Sequence, residues 1–119
     1  DYIEMMNRIL RSHHVYFVVP NFCGFPCANY FSYNERSVGF FNRDQKLLEQ
    51  YLSIRKRFVL ISNTESEFWT EAMSHQTNDT PNILYLKSGK YGKRSIAGNI
   101  LDSDEAKQDL QVYLNQDLI

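Results

Sequence analysis

The run His14-Val15-Tyr16-Phe17-Val18-Val19-Pro20 constrains this chain more than any other stretch. A continuous β-branched and aromatic segment stopped by proline is expected to be a strand covered on both faces, because such a strand has no polar side to alternate with. It feeds Asn21-Phe22-Cys23-Gly24-Phe25-Pro26-Cys27-Ala28-Asn29-Tyr30, where Pro, Gly and Cys break any periodicity. Phe22, Phe25, Tyr30, Phe31 and Tyr33 add planar surface that an exposed loop has little structural reason to carry. The carboxyl end of a buried strand is where an open α/β sheet keeps its ligand.

The flanking segments repeat one theme. Ile3, Met6, Ile9 and Leu10 mark an amphipathic helix over Tyr2 to Ser12. The first strand is expected at about Val15 to Val19. The long connection from Asn21 to Asn42 shows no clean period, with at most a short helical turn around Ala28 to Tyr33; connections of that length tend to be functional. Leu47, Leu48, Tyr51 and Leu52 make a helical stripe within Arg43 to Arg55, and Arg55-Lys56-Arg57 reads as a helix end favoured by the dipole. Phe58 to Ile61 is the second buried strand. Thr64 and Glu67 have the spacing of a capping box, so a helix is expected there with Trp69, Ala72 and Met73 inward. Ser74 to Asn82 is a loop and Ile83 to Leu86 a third strand. Lys87 to Arg94 is a loop with two glycines, and a last helix, capped by Asp102 or Ser103, carries Ala106, Leu110, Tyr113 and Leu114 on its inner side. Alternating strands and helices predict a parallel sheet with right-handed crossovers.

Composition excludes several function classes. With 119 residues the chain is one domain, residues 1–119, and a net charge of −1 without a run of five like charges gives no nucleic-acid footprint. The longest apolar run falls far short of the roughly 20 residues of a membrane span. No basic-then-apolar leader opens the chain, so a cytoplasmic protein is expected, with its two cysteines as thiols. His13 and His14 lie at a helix-to-strand joint without a third ligand nearby, so no metal is expected. The chain opens at Asp1 without methionine, in the middle of an α/β repeat, and is therefore expected to continue a longer one.

Val18-Val19-Pro20-Asn21-Phe22, Asn29-Tyr30-Phe31 and Asn34-Glu35-Arg36-Ser37 resemble segments of flavodoxin-like proteins, specifically the bacterial NAD(P)H-dependent FMN-reductase branch. The resemblance implies a flavodoxin-like three-layer α/β/α fold with a parallel sheet, incomplete at the amino end. The family's first strand and the Ser/Thr-rich loop that wraps the FMN phosphate have no counterpart here, so this chain would supply the last three strands of the order 2-1-3-4-5. It also implies FMN as cofactor, NAD(P)H as electron donor, a quinone or flavin as acceptor, and a homodimer encouraged by an exposed sheet edge.

By the same resemblance, Pro20, Asn21, Phe22, Cys23 and Gly24, with the loop Asn63 to Glu65, would flank the isoalloxazine ring. Phe22 and Tyr30 are the stacking candidates; Asn21, Gly24, Asn63 and Thr64 are the polar contacts. For Phe22 and Tyr30 ordinary core under a loop is an equal alternative. Hydride transfer needs positioning, not an acid–base dyad, and no catalytic residue is assigned. Lys87, Lys90, Lys93 and Arg94 are a phosphate site or, more simply, a solvated turn. Two readings from other classes stand beside this one. Cys23 and Cys27 could exchange thiols, although three intervening residues differ from the two-residue spacing of redox dithiols. The scaffold could also be an interaction module without a cofactor.

Overall fold

The computed structural model describes residues 1–22, 25–63, 67–94 and 98–117, with the backbone alone at 22 and 67–69. The elements run α1 (Tyr2–Leu10), β1 (His14–Phe22), β2 (Phe25–Pro26), α2 (Ala28–Phe41), α3 (Gln45–Ser53), β3 (Arg55–Ser62), α4 (Glu67–Ser74), β4 (Ile83–Lys87) and α5 (Asp104–Asn115). Single 3-10 turns at Ser88–Tyr91 and Ile100–Asp102 lie between β4 and α5.

The sheet order is β2-β1-β3-β4. β1 pairs parallel with β3 from His14↔Arg55 to Pro20↔Ile61, and β3 pairs parallel with β4 from Phe58↔Ile83 to Ser62↔Lys87. β2 is a two-residue antiparallel return on β1, at Asn21↔Pro26 and Phe22↔Phe25. The parallel architecture is therefore as the alternation predicts, with β1 running past the expected Val19 through Pro20 and Asn21 to Phe22.

The central strand β3 is covered on both faces, which is why it reads as an apolar run. Val19, Phe58 and Leu60 pack with Tyr30 of α2 and Met73 of α4 on one face; Val59 and Leu86 pack with Tyr91, Ile100 and Ala106 of α5 on the other. A third cluster, Met6, Phe41 and Tyr51, joins α1, α2 and α3. Asp1 caps α1 by accepting from the Glu4 N–H at 2.9 Å, and Ser103 caps α5 by accepting from Ala106 N–H at 3.2 Å. Of the two offered caps for α5, Asp102 instead ends the preceding 3-10 turn.

Three expectations are corrected. β1 is not covered on both faces: Phe17 and Val19 pack toward α2 and α4, but Val18 on the other face is 62% exposed, because α5 lies over β3 and β4. The stretch Asn21 to Asn42 is no long loop, because a 14-residue helix fills Ala28–Phe41. Its buried positions are Tyr30, Ser37 and Phe41, so a polar residue interrupts the inner stripe, while Phe31 and Val38 face outward at 39% and 76% exposure. Arg55-Lys56-Arg57 opens β3 instead of closing a helix. Lys56 nonetheless turns back under α3, where its ammonium donates to the Tyr51 carbonyl and, at 3.0 Å, to that of Ile54. The dipole argument named the right partner and the wrong element.

Candidate functional site

Parallel strands bring their carboxyl ends to one edge of the sheet, and a row of short polar side chains crosses it. Asn21 Nδ2 donates to Ser62 Oγ, and Ser88 Oγ donates to Asn63 Oδ1, so the ends of β1, β3 and β4 are joined in pairs. Ser62 and Ser88 are buried, at 0% and 4% exposure, and Asn63 is exposed. Asn21 Oδ1 is buried and has no hydrogen-bond partner among the described residues. An acceptor left in that state costs about 1–3 kcal/mol, so it marks a place where a ligand N–H would be favoured.

The other expected site residues distribute unevenly. Pro20 is half-buried, and its carbonyl accepts from Cys27 N–H at 3.1 Å, which starts α2 beside the strand end. Tyr30 takes the core alternative: it is 4% exposed, donates to the Ala72 carbonyl at 2.8 Å and meets Phe17 edge to face at 6.3 Å. Burial pushes its hydroxyl up to about 12. Cys23, Gly24 and Thr64 lie outside the described residues, as does the side chain of Phe22. The flavin-stacking candidate Phe22 and the Cys23–Cys27 thiol pair are therefore described only at Cys27, a half-buried free thiol packed on the core. Lys90 of the basic turn pairs with Asp109 at 2.8 Å, as the solvated-turn reading expects. Among the described residues no group of three His, Cys, Asp or Glu side chains could hold a metal ion, and no helix is long and apolar enough to cross a membrane.

A second concavity lies on the opposite side, where α3 returns the chain to the start of β3 and α4 returns it toward β4. This cleft of about 560 Å³ is walled by Val38 and Phe41 of α2, Leu48 and Tyr51 of α3, and His75 and Gln76 after α4. Its floor is a hydrogen-bonded chain. Tyr33 and Tyr51 hydroxyls meet at 2.6 Å, Tyr51 donates to Gln76 Oε1, and Gln76 Nε2 donates to Asn34 Oδ1. Gln76 is 2% exposed, so these bonds hold a buried amide in one orientation. Burial raises the Tyr33 hydroxyl to about 12 and Tyr51 further still. No residue of this cleft is singled out as a site in the sequence; Leu48 and Tyr51 read there as a helical stripe, and Asn34 to Ser37 as a segment of the resemblance. The single signal available there was the polar Asn34 and Ser37 on a helix otherwise rich in aromatics.

At the amino ends of the strands a buried carboxylate gathers cations. Asp117, 6% exposed, lies 3.0 Å from Arg57, 3.7 Å from Arg55 and 3.8 Å from His14, and accepts from the Tyr16 hydroxyl. Burial raises its pKa, but the Tyr16 hydrogen bond and the Arg57 guanidinium outweigh burial and hold it below the ordinary carboxylate value.

No protein-family model matches the chain, and no curated protein or solved structure matches it either.

Proposed function

We propose that the carboxyl edge formed by β1, β3 and β4 is part of an FMN site, in a flavodoxin-like oxidoreductase that passes electrons from NAD(P)H to a small quinone or flavin acceptor. The observation that carries the reading is Asn21 Oδ1, a buried acceptor without a donor, at the strand end where the resemblance puts the pyrimidine edge of the ring. That edge offers an N–H, which is the complement this oxygen requires. The strand order supports it too: β1, β3 and β4 run parallel in sequential order, with α2 and α4 packed on one face and α5 on the other, as the last three strands of a 2-1-3-4-5 sheet would. FMN, when bound, supplies the hydride-accepting chemistry. Asn21 would hold the ring's edge, and Ser62 and Ser88 would keep Asn21 and Asn63 in place.

The test is retention of flavin. The full-length protein, with the first strand and phosphate loop that the resemblance implies, is mixed with excess FMN, desalted, and examined for the flavin absorbance band and for quenched flavin fluorescence. Retention is expected, and Asn21→Leu, in a variant that still unfolds cooperatively, should weaken FMN binding about five- to 150-fold, the loss of one hydrogen bond to a buried group being worth about 1–3 kcal/mol. A protein that keeps no flavin overturns the reading.

The open edge of β1 favours a second reading, an interaction module that self-associates. β2 covers β1 only at Asn21 and Phe22, so His14 to Pro20 have no strand on that side among the described residues. In the flavodoxin-like reading the family's first strand would lie on this edge, so a homodimer through it belongs to the second reading.

A further inference from the structure

We infer that the cleft between α2, α3 and the end of α4 binds a neutral, ring-containing small molecule with a carbonyl or hydroxyl group, at a site separate from the carboxyl edge. Its volume of about 560 Å³ lies in the range of ligand pockets, and its walls are apolar while its polar groups converge on one end. Val38, exposed at 76%, and Leu48 present aliphatic surface, and Phe41 adds an aromatic side chain to the lining.

The floor determines the ligand's polarity. Asn34 and Gln76 bring two primary amides to that end, joined by a bond from Gln76 Nε2 to Asn34 Oδ1, and amide N–H groups suit an incoming oxygen. The rim determines its charge. Glu35 and Arg43 are of opposite sign, and the floor consists of amides and phenols, so a charged group inside would be desolvated without a counter-ion. Backbone geometry at the mouth is also unusual. Asn42 and Arg43 are successive non-glycine residues with positive φ, 35° and 67°. Asn42 closes α2 in an ordinary left-handed cap, whereas Arg43 holds a strained conformation of the kind that persists at binding sites.

The probe is 2-naphthol, a neutral fused-ring phenol. Titrated into the full chain, it should bind saturably with one-to-one stoichiometry and shift the side-chain amide proton signals of Asn34 and Gln76. Naphthalene, which lacks the hydroxyl, should bind at least tenfold more weakly. Val38→Trp, made at an exposed position so that folding is preserved, should fill the cleft and weaken 2-naphthol at least tenfold while leaving FMN retention as in the wild type. Non-saturable binding, equal affinity for naphthalene, or affinity unchanged by Val38→Trp would each overturn the inference. Because FMN retention is read separately, failure here is distinguishable from failure at the carboxyl edge.

Discussion

Lys56 is a buried cation, which is costly to hold in the fold. At 3% exposure its ammonium is held by two carbonyls and lies 4.1 Å above the Tyr51 ring, with no carboxylate in contact among the described residues. Burial lowers its pKa from 10.5 to about 8. Between those values the unfolded chain holds a proton that the folded chain has released, so folding stability rises with pH across this window. Below about pH 8 both states are protonated and the penalty is complete; above about 10.5 neither is, and it is gone. Denaturant unfolding of wild type and Lys56→Met from pH 7 to 10.5 should therefore show the wild type gaining on the variant by roughly 3 kcal/mol at most, whatever their offset at neutral pH. A difference that stays flat with pH would mean that Lys56 keeps its ordinary pKa. The sequence pointed to Lys56 as a helix-terminal cation; that it is buried is set by strand alternation, which turns Lys56 inward between outward Arg55 and Arg57.

Elements were legible where their stripes are purely apolar and obscure where they are not. β1, β3, β4 and α5 present unbroken runs or clean stripes, and each appears where the residues suggest. α2 does not, because Asn34 and Ser37 occupy its inner side and find partners in Gln76 and in the helix's own backbone, while Phe31 and Val38 face out. A polar residue satisfied by another element 42 positions away carries no local signature, and the same reason hides the cleft that α2 helps to form. The carboxyl edge was more legible, since proline and asparagine at a strand end mark it locally, although Tyr30 belongs to the core beneath it. The end of α5 adds a long-range device of the same type. Asp117 draws the residues after α5 onto the starts of β1 and β3 through Tyr16 and Arg57, and Arg57 Nε has no hydrogen-bond partner among the described residues. Asp117→Asn should lower stability by on the order of 1 kcal/mol at neutral pH. With the folded pKa held below 3.8, that contribution is complete above the ordinary carboxylate range and is lost as pH falls through the folded value, so wild type and variant should converge in acid. Acid unfolding curves that stay parallel would exclude the ion-pair role.

At the scale of the molecule β3 and β4 are covered above and below, whereas β1 is open at its side and on the α5 face. The hydrogen bond from Cys27 N–H to the Pro20 carbonyl shows that the peptide groups of even-numbered β1 residues point away from β3. His14, Tyr16 and Val18 therefore direct their N–H and C=O groups to the open edge, and Val18 is 62% exposed on the α5 side, where α5 covers β3 and β4 instead. An uncovered strand with an apolar side chain at its centre is a template for another strand, and a second copy pairing antiparallel across a two-fold axis would satisfy the same groups on both chains. Natural edges are blunted by charge, proline or a bulge; here proline stands only at position 20, where its carbonyl is already used. Sedimentation velocity over a wide concentration range should show self-association in the wild type. Val18→Pro deletes one N–H on the open side and none on the β3 side, a position at which an edge strand tolerates proline. The variant should melt near the wild-type midpoint and remain monomeric at concentrations where the wild type associates. Association unchanged by Val18→Pro would place the contact on another surface, and loss of folding would show that this side of β1 is already paired within the chain.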